Sequence, residues 1–180
     1  MKKLPHFLDK GDHSCAFYKN EEERLRVVLP FFRAGLILGE KCVYIASLND
    51  FKIVKKNILN FQDQIPQIDP EDILHIDSEV YLEAFRSNDV VTLCKQWEKM
   101  VEGFIAEGYK AVRGIGCLDV EYTEELKAFL LSYEKATASL FDRYPVSAIC
   151  LYPHRYSNSS FGRKISTTEY HPVFVDPLSV

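Results

Sequence analysis

The sequence lacks any window approaching the run of about eighteen consecutive apolar residues that a membrane span needs. Its first residues, Met1-Lys2-Lys3-Leu4-Pro5-His6, carry a basic pair with no apolar stretch behind it, so no signal peptide is expected. Cysteine is scarce and badly spaced for bridging. The five residues at 15, 42, 94, 117 and 150 are odd in number and form no CxxC pair. They make a poor disulfide framework, and reduced thiols in a cytoplasmic protein are expected. Basic charge is in deficit: 22 Lys and Arg against 26 Asp and Glu leave a net charge of −4. That balance argues against a generic electrostatic footprint on nucleic acid or an anionic membrane. Internal repeats, low-complexity tracts and Gly/Ser-rich linkers are absent.

What remains is rich in aromatics. Twelve Phe and ten Tyr accompany a single Trp, which predicts a Phe/Tyr-rich interior or pocket. At 180 residues the chain is long enough to hold a core without disulfides or metal. One domain over 10–176 is expected, with tails at 1–9 and 177–180.

Strand-like and helix-like segments alternate. Ser14 to Tyr18 reads as a buried strand. Asn20 is a suitable N-cap, and Glu21, Glu22 and Glu23 suit the positive end of the helix dipole. Leu25, Val28, Leu29, Phe32 and Leu36 continue at helical spacing to Gly39, and Pro30 predicts a kink or a later start. Cys42 to Ala46 is a second strand, followed by a helix over 51–60 and a loop at Pro66 and Pro70. Ile73 to Ile76 is a third strand. Asn88-Asp89 opens a long helix with Val90, Leu93, Cys94, Trp97, Val101, Phe104 and Ile105 on one stripe. Lys110 to Arg113 is a strand leading into Gly114-Ile115-Gly116, and a helix over 121–141 follows. Val146 to Tyr152 is a strand, Ser157 to Ser160 caps a short helix, and Val173 to Val175 is the last strand. This pattern predicts an α/β fold of three layers, a mostly parallel sheet with helices on both faces. Ligands of such sheets bind outside the carboxyl ends of the strands.

The first strand–helix turn argues against nucleotide hydrolysis. It has no glycine to curl around a phosphate, and three glutamates stand where a triphosphate would lie. His13 and Cys15 share one side of a strand, and Cys150 shares a face with Tyr152. Cys150 or His171 would complete a zinc set, but metal-type spacing is missing, so a packed pair is the favoured reading and a metal site is kept open rather than predicted. A buried free cysteine usually behaves as a small hydrophobe. Gly114-Ile115-Gly116 is too short for a dinucleotide fingerprint. Arg113 ends an apolar strand and needs a carboxylate partner, for which Glu134 is the candidate, or an anionic ligand. His171-Pro172 reads as extended backbone entering the last strand.

Taken in order, these residues resemble one family. Gly11-Asp12-His13-x-Cys15-x-Phe17-Tyr18 with an acidic helix start is similar to the opening of MEDS domains. These sensory modules are named after methanogens, methylotrophs and the dichloromethane regulator DcmR. Pro30-Phe31-Phe32-x-x-Gly35-Leu36-x-x-Gly39-Glu40-Lys41-Cys42, Glu107-Gly108-Tyr109, Arg113, Gly116, Tyr133-Glu134, Cys150-x-Tyr152 and His171-Pro172 extend the match. The resemblance implies a RecA/KaiC-like core that has lost its phosphate loop. It also implies a sensor of a small hydrocarbon derivative, coupled to a histidine kinase or a transcriptional regulator. Gly116-Cys117-Leu118-Asp119 departs from the family's Gly-Glu pattern, which points to a different ligand. No output domain accompanies the module, so the signal is expected to leave through a partner.

The expected function is a non-catalytic sensory module that binds a small apolar ligand at the carboxyl edge of the sheet. The expected ligand-binding residues are His13, Cys15, Phe17, Tyr18, Arg113, Glu134, Cys150, Tyr152 and His171. No cofactor, no direct nucleic-acid contact and no membrane contact are expected, and a homodimer is allowed. Two rivals remain open: a cysteine-dependent enzyme or redox protein using Cys15 or Cys150, and a scaffold with a vestigial nucleotide pocket.

Overall fold

A computed structural model describes residues 2–62, 69–87, 89–167, 169–171 and 173–175. Pro66, Asn88, Pro172 and the tail at 177–180, singled out from sequence, lie outside the described residues. The strands are β1 (Lys2–Lys3), β2 (His13–Tyr18), β3 (Lys41–Ala46), β4 (Ile73–Asp77), β5 (Val112–Cys117), β6 (Val146–Pro153) and β7 (Val173–Val175). The helices are α1 (Glu21–Leu38), α2 (Leu48–Gln62), α3 (Ser78–Ser87), α4 (Val90–Ala106), α5 (Glu124–Arg143) and α6 (Ser160–Ile165). All the strand pairs are parallel, in the order β1-β7-β2-β6-β5-β3-β4.

Side-chain alternation divides the strands between two cores. Ala16, Tyr18, Tyr44, Ile115, Ile149 and Leu151 pack with α1 and α2 on one face. Cys15, Ile45 and Tyr152 pack with α3, α4, α5 and α6 on the other. The result is the expected three-layer α/β fold. Helix α1 leaves β2 and crosses below β6 and β5 to reach β3, so its Val27, Val28, Phe31 and Phe32 are fully buried. Asn20 caps it by accepting from the Glu23 N–H at 2.9 Å, and the Glu23 carboxylate accepts from the Lys19 N–H at 2.8 Å. Those contacts use the helix-start amides that a phosphate-binding turn would offer to a ligand. Pro30 does not delay α1, which runs unbroken from Glu21, and Gly39 ends it at φ 72°.

Three sequence expectations are corrected. Residues 2–8 are not a tail: Lys2–Lys3 pairs with β7, and Leu8 is buried in the core against α1. Helix α3 is an element the apolar pattern did not place. It is only Ser78–Ser87 long and buries little besides Leu82 and Phe85. Gly114 and Gly116 are not a turn but lie inside β5, because flanking strands pair with both. Among the described residues no helix is long and apolar enough to cross a membrane.

Candidate functional site

Glycine in a strand interior leaves a hole on the sheet face unless a neighbour fills it. In β5, Gly114 and Gly116 face the α3–α6 layer beside Ala148 of β6. A Cβ on Gly116 would meet nothing within 4 Å, whereas one on Gly114 would lie 3.7 Å from the Ala148 Cβ. The space above these small residues is a cavity of about 90 Å³. Its walls include Ile45, Phe85, Trp97, Leu130, Tyr133 and Leu140. A 150 Å³ cavity holds benzene, so this one suits a smaller molecule. At one wall the Trp97 Nε1–H donates to the Tyr81 hydroxyl at 2.9 Å, and Tyr81 shares a hydrogen bond with Tyr133.

His13, Glu134 and Cys150 form another edge of the cavity. Each comes from a different element: His13 opens β2, Glu134 is on the inner face of α5, and Cys150 is in β6 opposite Cys15. His171, before β7, joins them. One carboxylate oxygen, Glu134 Oε2, lies 3.0 Å from His13 Nε2, 3.3 Å from His171 Nε2 and 3.5 Å from Cys150 Sγ. The thiol is 3.6 Å from His13 Nε2. The other carboxylate oxygen accepts from the Tyr152 hydroxyl at 2.7 Å. His171 Nδ1 lies 2.8 Å from the Ile165 carbonyl, so it carries the hydrogen and donates. His171 Nε2 makes no aligned hydrogen bond, and His13 Nδ1 has no partner among the described residues. The His13 ring stacks on Phe141 at 4.2 Å.

Burial works against charge here, and the cluster overrides it unevenly. Burial pushes the Glu134 carboxyl up, but His171 and His13 together hold it well below the usual range. Burial lowers His171, yet the facing Glu134 carboxylate raises it well above an ordinary histidine. Burial and the charge of His171 keep His13 low. Burial, with Glu134 adding to it, pushes the Cys150 thiol up to about 12. The resting arrangement is a Glu134 carboxylate paired with a His171 imidazolium, beside a neutral His13 and a thiol.

The structure brings His13, Cys15, Glu134, Cys150, Tyr152 and His171 to one face, with Phe17 5.8 Å from the Tyr152 ring. Tyr18 and Arg113 are on the opposite face. Strand alternation points Arg113 at α1, where it pairs with Glu40 rather than Glu134 and lies 4.9 Å from the Phe31 ring centre. Tyr18 accepts from the Cys117 thiol at 3.5 Å. The cavity runs along the sheet face under α4 and α5, from the strand starts at His13 and Val146 to Leu118 and Tyr122 beyond the carboxyl end of β5. Sequence reasoning missed Glu40, Tyr81 and the cavity role of the glycines. Gly114 and Gly116 were visible as a pair, but their direction depends on which face α5 covers.

A catalytic triad places its nucleophile and its orienting acid on different imidazole nitrogens. Here Cys150 and Glu134 address the same nitrogen of His13, so the set is not a triad. The arrangement can hold a small apolar molecule against a polar edge, or a cation between four donors.

No curated protein matches the chain closely enough to count as a relative. Residues 12–169 match the family described as MEDS, MEthanogen/methylotroph, DcmR Sensory domain, and that span contains the cavity walls and every cluster residue except His171. The chain therefore belongs to the MEDS family of sensory domains.

Proposed function

We propose that this domain senses a small, largely apolar molecule bound in the cavity over β5 and β6, and passes the signal to a protein partner. The observation that carries this reading is the cavity itself: apolar walls around one polar edge, the usual form of a small-ligand site. Its volume of about 90 Å³ favours compounds smaller than benzene. Elements far apart in the chain meet there, because β2, β6, α5 and the segment before β7 all reach the polar edge. A ligand that prefers one arrangement of these elements would shift its population, which a histidine kinase or transcriptional regulator could read. The role is binding rather than turnover, since the cysteine, histidine and glutamate lack triad geometry. The α1 start, satisfied by Asn20 and Glu23, supports descent from a RecA/KaiC-type core without its phosphate loop. The five free cysteines fit a reducing, cytoplasmic setting.

Titration calorimetry with one- and two-carbon halogenated and methylated compounds tests the proposal. At least one should bind the wild type, and Gly116→Val should abolish binding, because its side chain enters the empty space. Circular dichroism of the variant should match the wild type. Failure of the whole panel, or equal binding by the variant, would sink the reading.

A further inference from the structure

The four buried side chains at the cavity edge meet in a way that ordinary hydrogen bonding leaves incomplete. Three groups converge on the single oxygen Glu134 Oε2: two imidazole Nε2 atoms and a thiol. One of them, His171 Nε2, finds no aligned partner despite complete burial of its side chain. The ligand atoms of all four residues lie within 4.8 Å of one another.

We propose that His13 Nε2, His171 Nε2, Cys150 Sγ and Glu134 Oε2 form a tetrahedral site for a divalent transition metal, with zinc as the fitting ion. Zinc bonds of about 2.0–2.1 Å to nitrogen or oxygen and about 2.3 Å to sulfur imply tetrahedron edges of about 3.3–3.6 Å. Four of the six separations are 3.0, 3.3, 3.5 and 3.6 Å and the other two lie within 4.8 Å, so modest side-chain shifts accommodate the ion. A tetrahedral set of two nitrogens, one sulfur and one oxygen suits zinc, and the softer thiolate disfavours magnesium and calcium.

The surroundings hold His171 and Glu134 as a metal site requires, while the His13 ring is held by stacking on Phe141. His171 Nδ1 donates to the Ile165 carbonyl, which leaves Nε2 as the nitrogen facing the centre, a ligand once its proton is lost. The Tyr152 hydroxyl donates to Glu134 Oε1, which leaves Oε2 for the ion. Charge also closes. A dication with one thiolate and one carboxylate sums to zero, which a buried site tolerates better than an unbalanced one. On binding, the Cys150 thiol and the His171 imidazolium each give a proton to solvent, and Sγ and Nε2 form metal bonds in their place. Such a site joins β2, α5, β6 and the segment before β7. The assignment stands whether or not the cavity takes an apolar effector.

Cobalt(II) titration of chelator-stripped full chain is the test. The wild type should take up one cobalt per chain with tetrahedral visible bands and a thiolate-to-cobalt charge-transfer band. Cys150→Ser should lose the charge-transfer band, while Cys15→Ser should keep it. Tyr152→Phe should weaken affinity about tenfold, the usual loss when an outer-shell partner is removed. Elemental analysis of the protein as isolated should find about one zinc per chain. Wild-type protein that binds no cobalt, or that binds it without a thiolate band, would overturn the assignment, as would a band that persists in Cys150→Ser. The wild-type titration decides even if a variant fails to fold, and it is read without any organic ligand, so its failure is separable from that of the sensing proposal.

Discussion

Arg113 carries the clearest lesson at the scale of single residues. A guanidinium in the middle of a sheet must find a carboxylate, and Glu40, at the turn into β3, supplies it. Both side chains are almost fully buried. Gly35 makes the pairing possible, since a Cβ there would lie 2.6 Å from the Arg113 side chain. Removing one partner of a buried pair leaves an uncompensated charge, which typically costs about 3–5 kcal/mol. Glu40→Ala should therefore lower the urea midpoint strongly with an unchanged m-value. A loss under about 1 kcal/mol would mean that water reaches the guanidinium. The need for a partner was legible from sequence, because a charged residue ended an apolar strand. Which carboxylate answers was not. Glu134 is the nearer in the chain and Glu40 is 73 residues away, but alternation in β5 turns Arg113 toward α1 while Glu134 hangs from α5 on the other face.

Among elements, helices with strong local signals were the most legible. Asn20 and Asp89 were both readable as N-caps, and each side chain accepts from the amide three residues on, at 2.9 and 2.8 Å. Asp89 gives a pH prediction. The backbone hydrogen bond from Thr92 holds its carboxyl below the ordinary aspartate range. A group depressed in the folded state stabilises above its unfolded pKa, and that contribution disappears as pH falls through the folded value. Asp89→Asn keeps a capping oxygen but cannot titrate. The wild type should thus be more stable than this variant at neutral pH, with the gap closing in acid, as read by urea titrations at several pH values. A gap independent of pH would refute the assignment. Short elements were less legible. Helix α3 buries too few residues for a periodic stripe, and β5 was cut short because Gly114 and Gly116 resemble turn residues until both neighbouring strands are seen to pair with them.

Across the whole molecule, the amino-terminal segment closes the sheet on one side. Its β1 pairs with β7, and Leu8 fills the core between α1 and the strands. Leu8→Ala should destabilise the fold by about 2–5 kcal/mol, the usual cost of emptying a buried leucine site. Thermal and urea unfolding would show it. A variant as stable as the wild type would return residues 2–8 to the status of a tail.

The sequence by itself determined the layered α/β class. Short, near-continuous apolar strands, 3.6-period helices and their caps are local properties, written into neighbouring residues. It also marked His13, Cys150 and His171 as candidates, by residue type and by resemblance. Tertiary structure alone decided which of them meet. Parallel strands from distant parts of the chain bring residues 13 and 150 side by side, and α5 lowers Glu134 onto them. Tyr18 and Arg113 fall on the other face for the same reason: only the sheet order and the side on which each helix crosses can say where an alternating side chain points. The cavity, too, exists only in three dimensions, because two glycines make a hole only where a helix stands over them.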